Sequence, residues 1–178
     1  MSAWYAVWTR SRHESRVCQH LDARGVTTFL PTCARLSRWS DRQKRISWPL
    51  FPGYCFARGE REDLHHVSRC PGVASVLSTA GAPAPVADEE IDALMRLVRT
   101  DLAYEPCIPR TPGLRVRVVR GPLAGVQGQL IRGQRDSQLL LAVDLLNSAA
   151  RLTISEWDVE PAPLESRRLV ADGALCRA

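Results

Sequence analysis

The stretch Tyr104-Glu-Pro-Cys-Ile-Pro-Arg-Thr-Pro-Gly113 places three prolines and a glycine within ten residues. Proline fixes φ and removes a backbone donor, so such a run neither continues a helix nor enters the middle of a sheet. It therefore divides the 178-residue chain. A helix is signalled just before it. Asp88 reads as N-cap, Glu89 and Glu90 lie in the first turn, Ile91, Leu94, Met95 and Val98 follow at helical spacing, and Arg96 and Arg99 come near the end. Acid first and base last complements the helix dipole. The expected organisation is a first domain over residues 1–103, a linker over 104–113, a second domain over 114–162 and a tail over 163–178.

The two sides are patterned differently. Trp4 to Thr9 reads as an aromatic-rich strand, and His13 to Arg24 as a helix closed by Gly25. Val26 to Leu36 is extended, Tyr54-Cys-Phe-Ala is a short strand, Asp63 to Val67 a helical turn, and Val73 to Leu77 a further strand. Alternating strands and helices give an α/β sandwich. Beyond the prolines, Arg115 to Val119, Val126 to Ile131, Leu139 to Leu145 and Arg151 to Ile154 are short strands between Gly, Asp and Asn turns. That pattern predicts a small all-β barrel.

Charge narrows the class. Lys and Arg number 24 against 19 Asp and Glu, for a net of +5 and a pI near 9.1. Lys44 is the only lysine. Arginine's planar fork suits phosphates and base edges, although a GC-rich genome produces the same bias. Residues 1–60 carry a net of +6, residues 61–110 a net of −3 and residues 111–178 a net of +2. Basicity is an N-terminal property, the footprint expected toward a polyanion. The 45% hydrophobic content excludes a disordered chain, and no apolar run approaches a bilayer span. The N-terminus lacks a signal-peptide pattern, and the six cysteines contain no C-x-x-C pair. Reduced thiols and a cytoplasmic location are the expectation. Neither a nucleophile elbow, nor a Gly-rich phosphate loop, nor a metal-ligand pair is present, so no enzyme, cofactor or metal is expected.

Two sets of motifs carry a family resemblance. Val116-Arg-Val-Val-Arg-Gly-Pro-Leu-Ala-Gly-Val-Gln-Gly128 resembles the KOW motif, a strand-turn-strand element of small SH3-like barrels. Upstream, Trp4-Tyr-Ala-Val-Trp8, Glu14 with its helix, Phe29-Leu-Pro31, Pro49-Leu-Phe-Pro-Gly-Tyr-Cys-Phe56, Pro71-Gly-Val73 and Pro83 to Val86 occur in one order. Together they resemble the NusG/RfaH family over roughly residues 3–162, most closely its specialised antiterminator paralogues. The resemblance implies an α/β (α+β) domain with a four-stranded antiparallel sheet flanked by helices, flexibly linked to a five-stranded barrel. It also implies a monomeric transcription elongation factor that docks on the clamp helices of the largest RNA polymerase subunit.

The resemblance also places candidate contacts. Trp8, Phe51, Tyr54 and Phe56 fall where the family grips the clamp helices, and aromatic residues dominate such hot spots. Arg10, Arg12, Arg16, His20 and Arg24 form a basic stripe at a spacing of four from Arg12 onward. On composition alone it is a solvated face; the resemblance implies a surface for the non-template DNA strand. His65 and His66 fall where specialised members meet the gate loop of the second-largest subunit, and neighbours about 100° apart on a helix make poor partners for one metal. Arg35, Arg38, Arg42, Lys44 and Arg45, with Trp39 and Trp48, form a third basic stretch toward upstream DNA or solvent. In the barrel, Leu145 and Leu146 offer an apolar contact to a ribosomal protein. Leu146-Asn147-Ser148 replaces the housekeeping aromatic-Gly-Arg, which weakens the expectation of Rho binding. The rival class is a ribosome-associated RNA-binding module, since KOW barrels occur there too.

Overall fold

The computed structural model describes residues 2–39, 42–133 and 136–162, with the side chains of 35–45 outside that description. The strand Ala3–Thr9 (β1) organises the first domain. Trp4, Tyr5, Ala6 and Val7 are all buried, so β1 is covered on both faces and shows no polar alternation. Its side chains still alternate between two cores. Tyr5 and Val7 pack with Val17, Cys18 and Leu21 of the helix Glu14–Asp22 (α1). Trp4 and Ala6 join the opposite cluster, which contains Phe51 and Phe56. The strands Thr27–Phe29 (β2), Thr32–Trp39 (β3), Arg42–Pro49 (β4) and Tyr54–Gly59 (β5) follow. A 3₁₀ turn over Arg61–Asp63 leads into the short helix Leu64–Ser68 (α2). Next come Val73–Val76 (β6), Ser78–Thr79 (β7), Ala82–Pro83 (β8) and Pro85–Val86 (β9), then the helix Asp88–Val98 (α3).

The main sheet runs β2-β5-β1-β6, antiparallel throughout, with β9 added alongside β1 at Trp4 and Tyr5. Leu64 and Val67 of α2 join the α1 face, whereas Ile91, Leu94 and Leu97 of α3 cover the other. The expected four-stranded antiparallel sheet between helices is present, extended by β9. The segment expected as one extended run from Val26 to Leu36 is split into β2 and β3 at Leu30-Pro31. β3 then pairs with β4 as a separate hairpin, from Thr32 opposite Pro49 to Trp39 opposite Arg42. One capping expectation is corrected: Ala87, not Asp88, is the α3 N-cap. Asp88 lies inside the first turn, where its charge still meets the helix dipole and lies 3.9 Å from Arg58.

The second domain contains Leu114–Val118 (β11), Gln127–Arg132 (β12), Ser137–Val143 (β13), Ser148–Thr153 (β14) and Val159–Pro161 (β15). Strand order is β14-β13-β12-β11-β15, in which β11 to β14 form a meander and β15 returns beside β11, giving the five strands expected of a KOW barrel. Val116 and Val118 are buried while Arg117 between them faces out. Gly128 is required by close approach, since a Cβ there would lie 2.8 Å from the Leu140 carbonyl. β15 lay beyond the strands expected from the sequence.

The expected linker is partly ordered into the sheet. Tyr104–Cys107 (β10) pairs with β14, from Tyr104 opposite Leu152 to Cys107 opposite Ala149. Pro106 is tolerated because β10 is an edge strand, where a missing donor breaks no further ladder. The barrel also packs on the first domain. Leu94 and Leu97 of α3 share one hydrophobic cluster with Leu139 and Leu141 of β13. Arg96 Nη2 donates to the Ala124 carbonyl at 2.5 Å, and Tyr104 Oη donates to the Thr32 carbonyl at 2.6 Å. The expected tail, 163–178, lies outside the described residues.

Candidate functional site

The turn between β4 and β5 is built around Gly53. Tyr54 N–H donates to the Phe51 carbonyl at 3.0 Å, closing the turn, and Gly53 adopts φ +83°, a region that disfavours any side chain. Gly53 N–H donates to Glu14 Oε1 at 2.7 Å. Its carbonyl accepts from Thr9 N–H at 2.8 Å and from Thr9 Oγ1 at 3.3 Å. Trp8 lies across this turn, with its ring 3.8 Å from where a Gly53 Cβ would stand. It is the cross-strand partner of Tyr54 and is 50% exposed. A register shift between Trp8 and Thr9 in the pairing with β6 marks an irregularity of the kind that re-aims side chains at sheet rims.

The four aromatic candidates separate on burial. Trp8 and half-buried Tyr54 reach the surface, whereas Phe51 and Phe56 are 3% and 0% exposed. Their rings meet edge to face at 6.2 Å, and Phe29 stacks on Phe56. The expectation of four surface contacts is therefore corrected for these two: β5 is covered on both faces, so Phe56 has no solvent side.

The basic stripe is exposed at all five positions, Arg10, Arg12, Arg16, His20 and Arg24, while Val17, Cys18 and Leu21 turn inward from α1. The loop leading into α1 is pinned by Arg10 N–H donating to the Gly72 carbonyl at 2.8 Å. Arg12 adopts φ +62°. Beneath the helix, the Cys55 thiol is pushed far up by its hydrogen bond with Cys18 and by burial, which keeps it protonated. Cys18, Cys55, Cys70 and Cys107 are free thiols.

His65 and His66 are exposed on α2. Their rings lie 3.6 Å apart, closer than a 100° helical offset suggests, and His65 Nδ1 donates to the Glu62 carbonyl at 2.6 Å. Among the described residues no group of three or more His, Cys, Asp or Glu side chains is arranged to hold a metal. Leu145 and Leu146 occupy a 3₁₀ turn after β13, half-buried and packed against the cluster shared by barrel and α3. The third basic stretch lies on β3 and β4, and the side chains of Arg35, Arg38, Trp39, Arg42, Lys44 and Arg45 are outside the described residues. Trp48 is exposed. The part played by Thr9 and Glu14 was invisible in the sequence, where a first-turn acid looks like an ordinary dipole partner.

An antiparallel α/β domain joined to a small KOW-type barrel, with a half-exposed tryptophan beside a hydrogen-bonded Phe-Pro-Gly-Tyr turn, defines a two-domain class of protein. The family model described as transcription termination factor NusG matches residues 2–95. The chain belongs to the NusG family. The transcription termination/antitermination protein NusG of Vibrio vulnificus is 28% identical over 173 residues, covering 88% of this chain and 94% of that protein. The protein of the same name from Pseudomonas aeruginosa is 31% identical over 140 residues, covering 70% of this chain and 78% of that protein. A solved structure described as domain interaction in Thermotoga maritima NusG shares the fold, with a TM-score of 0.53 at 23% identity, over 90% of this chain and 97% of that one. No helix among the described residues is long and apolar enough to cross a membrane.

Proposed function

We propose that this chain is a transcription elongation and antitermination factor. Its first domain docks on the clamp helices of the largest RNA polymerase subunit, bridges the main channel and modulates pausing or termination at particular operons. The observation that carries this reading is Trp8, half exposed on β1 against a turn whose Gly53 N–H and carbonyl are both hydrogen-bonded, within a chain of the NusG family. An exposed aromatic standing on a hydrogen-bonded turn offers a surface of the kind that dominates hot spots. Tyr54 completes the contact, and Phe51 and Phe56 support it from beneath. His65 and His66 meet the gate loop of the second-largest subunit. The α1 stripe meets the non-template strand, where arginines bind phosphate or guanine edges and His20 stacks on a base.

The barrel reaches a ribosomal protein through Leu145 and Leu146, and the Leu146-Asn147-Ser148 turn favours an operon-specific role over Rho-dependent termination. The protein acts as a cytoplasmic monomer. Pull-down from lysate is expected to recover RNA polymerase; ribosomes recovered without polymerase would support the rival ribosome-bound module. In gel shifts of paused elongation complexes, the double variant Arg16→Ala, His20→Ala is expected to lose recruitment. Wild-type recruitment by that variant would leave the stripe a solvated face. Loss of the protein lowering transcription across the whole genome would favour a general elongation factor instead.

A further inference from the structure

Burial of polar side chains is rare among the described residues and converges on one residue, Gly53. Among the described residues, Thr9 and Glu14 are the only buried polar or charged residues, at 2% and 6% exposure. Taking a carboxylate out of water is costly unless it is partnered. Both side chains bond the same distant residue: Glu14 Oε1 accepts from Gly53 N–H, and Thr9 Oγ1 donates to the Gly53 carbonyl. The turn does not need either bond to close, because the Tyr54 N–H to Phe51 carbonyl bond closes it. What the two bonds add is location. They fix the turn against the end of β1 and the head of α1.

We infer that Glu14 is a positioning residue: with Thr9 it holds Gly53 through the two peptide groups that flank it so that Trp8 and Tyr54 face a partner in one arrangement, tied to the helix that carries Arg16 and His20. The inference rests on the docking role proposed above. Three observations meet at this point. Trp8 lies on Gly53 and opposite Tyr54, so any shift of the turn moves the surface on which both aromatics stand. Thr9, one of the two clamping residues, adjoins Trp8 across the register shift in β1. Glu14 opens α1, so Arg16 and His20 are carried on the element that grips the turn. The aromatic and the basic surfaces are thereby set at a fixed distance from one another, and a partner that offers a helical tip and a nucleic-acid strand together meets both without rearrangement. Preorganisation of this kind strengthens binding by reducing the ordering cost.

The test uses the full chain as Trp8→Ala, Thr9→Val, Glu14→Ala and Glu14→Gln variants, with two readouts. One is affinity for the isolated clamp helices of RNA polymerase; the other is amide exchange at Gly53 against the other β1 and β5 amides. Glutamine keeps the accepting oxygen and alanine does not. Glu14→Ala is expected to speed Gly53 exchange selectively, and Glu14→Ala and Thr9→Val to weaken affinity about tenfold, the scale of one lost buried hydrogen bond, with Glu14→Gln keeping exchange and affinity near wild type. Wild-type affinity in Glu14→Ala, alongside lost affinity in Trp8→Ala, overturns the positioning role and leaves the docking role standing. Wild-type affinity in both overturns the docking role and this inference with it. Uniformly faster exchange in Glu14→Ala, unrepaired by Glu14→Gln, makes Glu14 a general fold residue and also overturns the inference.

Discussion

Arg12 stands at φ +62° at the entrance to α1. That region costs a non-glycine residue roughly 1–2 kcal/mol, and its persistence at an exposed arginine fits a position kept for its side chain. Arg12→Gly is expected to raise the thermal midpoint by a few degrees, about 1 kcal/mol of relieved strain, while weakening recruitment to paused complexes. Calorimetry and gel shift read the two effects separately. Phe56 behaves in the opposite way. It is fully buried against Phe29 and Phe51, so Phe56→Ala is expected to destabilise the first domain by about 3–5 kcal/mol, whereas Trp8→Ala leaves the denaturation midpoint nearly unchanged. These residues also mark a limit of sequence reading. Trp8 and Phe56 belong to the same run of aromatic motifs, and identity alone does not say which one is underneath. Burial on both faces of β5 decides it, and that follows from tertiary packing.

At the scale of elements, strands and helices were legible wherever periodicity and turn chemistry agreed. α1 ends before Gly25, α3 carries its apolar stripe inward, and β11 alternates buried valine with outward arginine. β10 was hidden because three prolines argue for a linker, and only pairing with β14 makes four of those residues a strand. β15 was hidden because Val159-Glu-Pro161 is too short to show a period. The turn before it is tied down by Glu156, whose carboxylate accepts from Ser137 Oγ at 2.6 Å and lies 3.2 Å from Arg132 Nε. The Ser137 hydrogen bond, aided by the Arg132 charge, holds Glu156 below its ordinary value. The folded barrel therefore binds that proton less tightly than the unfolded chain. Its contribution is full above the unfolded carboxylate value of about 4.3 and is lost as pH falls through the lowered one. Thermal melts between about pH 5 and pH 3 are expected to fall less steeply for Glu156→Gln than for wild type; parallel curves would remove Glu156 from the acid response.

At the scale of the molecule, the Arg96–Ala124 and Tyr104–Thr32 hydrogen bonds and a shared apolar cluster help hold the barrel on α3 and the base of the β3–β4 hairpin. Tyr104 serves both domains, pairing with Leu152 in the barrel sheet while its hydroxyl reaches Thr32. Burial raises its phenol above the ordinary value. The folded state thus keeps the proton longer, so its contribution is full below about pH 10 and is lost as pH rises through the raised value. Tyr104→Phe with Arg96→Ala is expected to enlarge the radius of gyration by solution scattering at neutral pH, and unchanged scattering would show that the apolar cluster alone sets the arrangement. The chain's basic excess keeps a restricted meaning on this scale. It is concentrated in residues 1–60, where Arg16 and His20 on α1 and Arg10, Arg12 and Arg24 in its flanking segments are all exposed, beside the aromatic surface proposed for docking.

The central claim is that Trp8 on its Gly53 platform is the principal contact with RNA polymerase. It is tested most directly by the affinity of the full chain for isolated clamp helices, wild type against Trp8→Ala, with the fold monitored by circular dichroism. Loss of at least 2 kcal/mol, about thirtyfold or more, with an unchanged spectrum is the predicted result. Equal affinity of the two proteins would contradict the account.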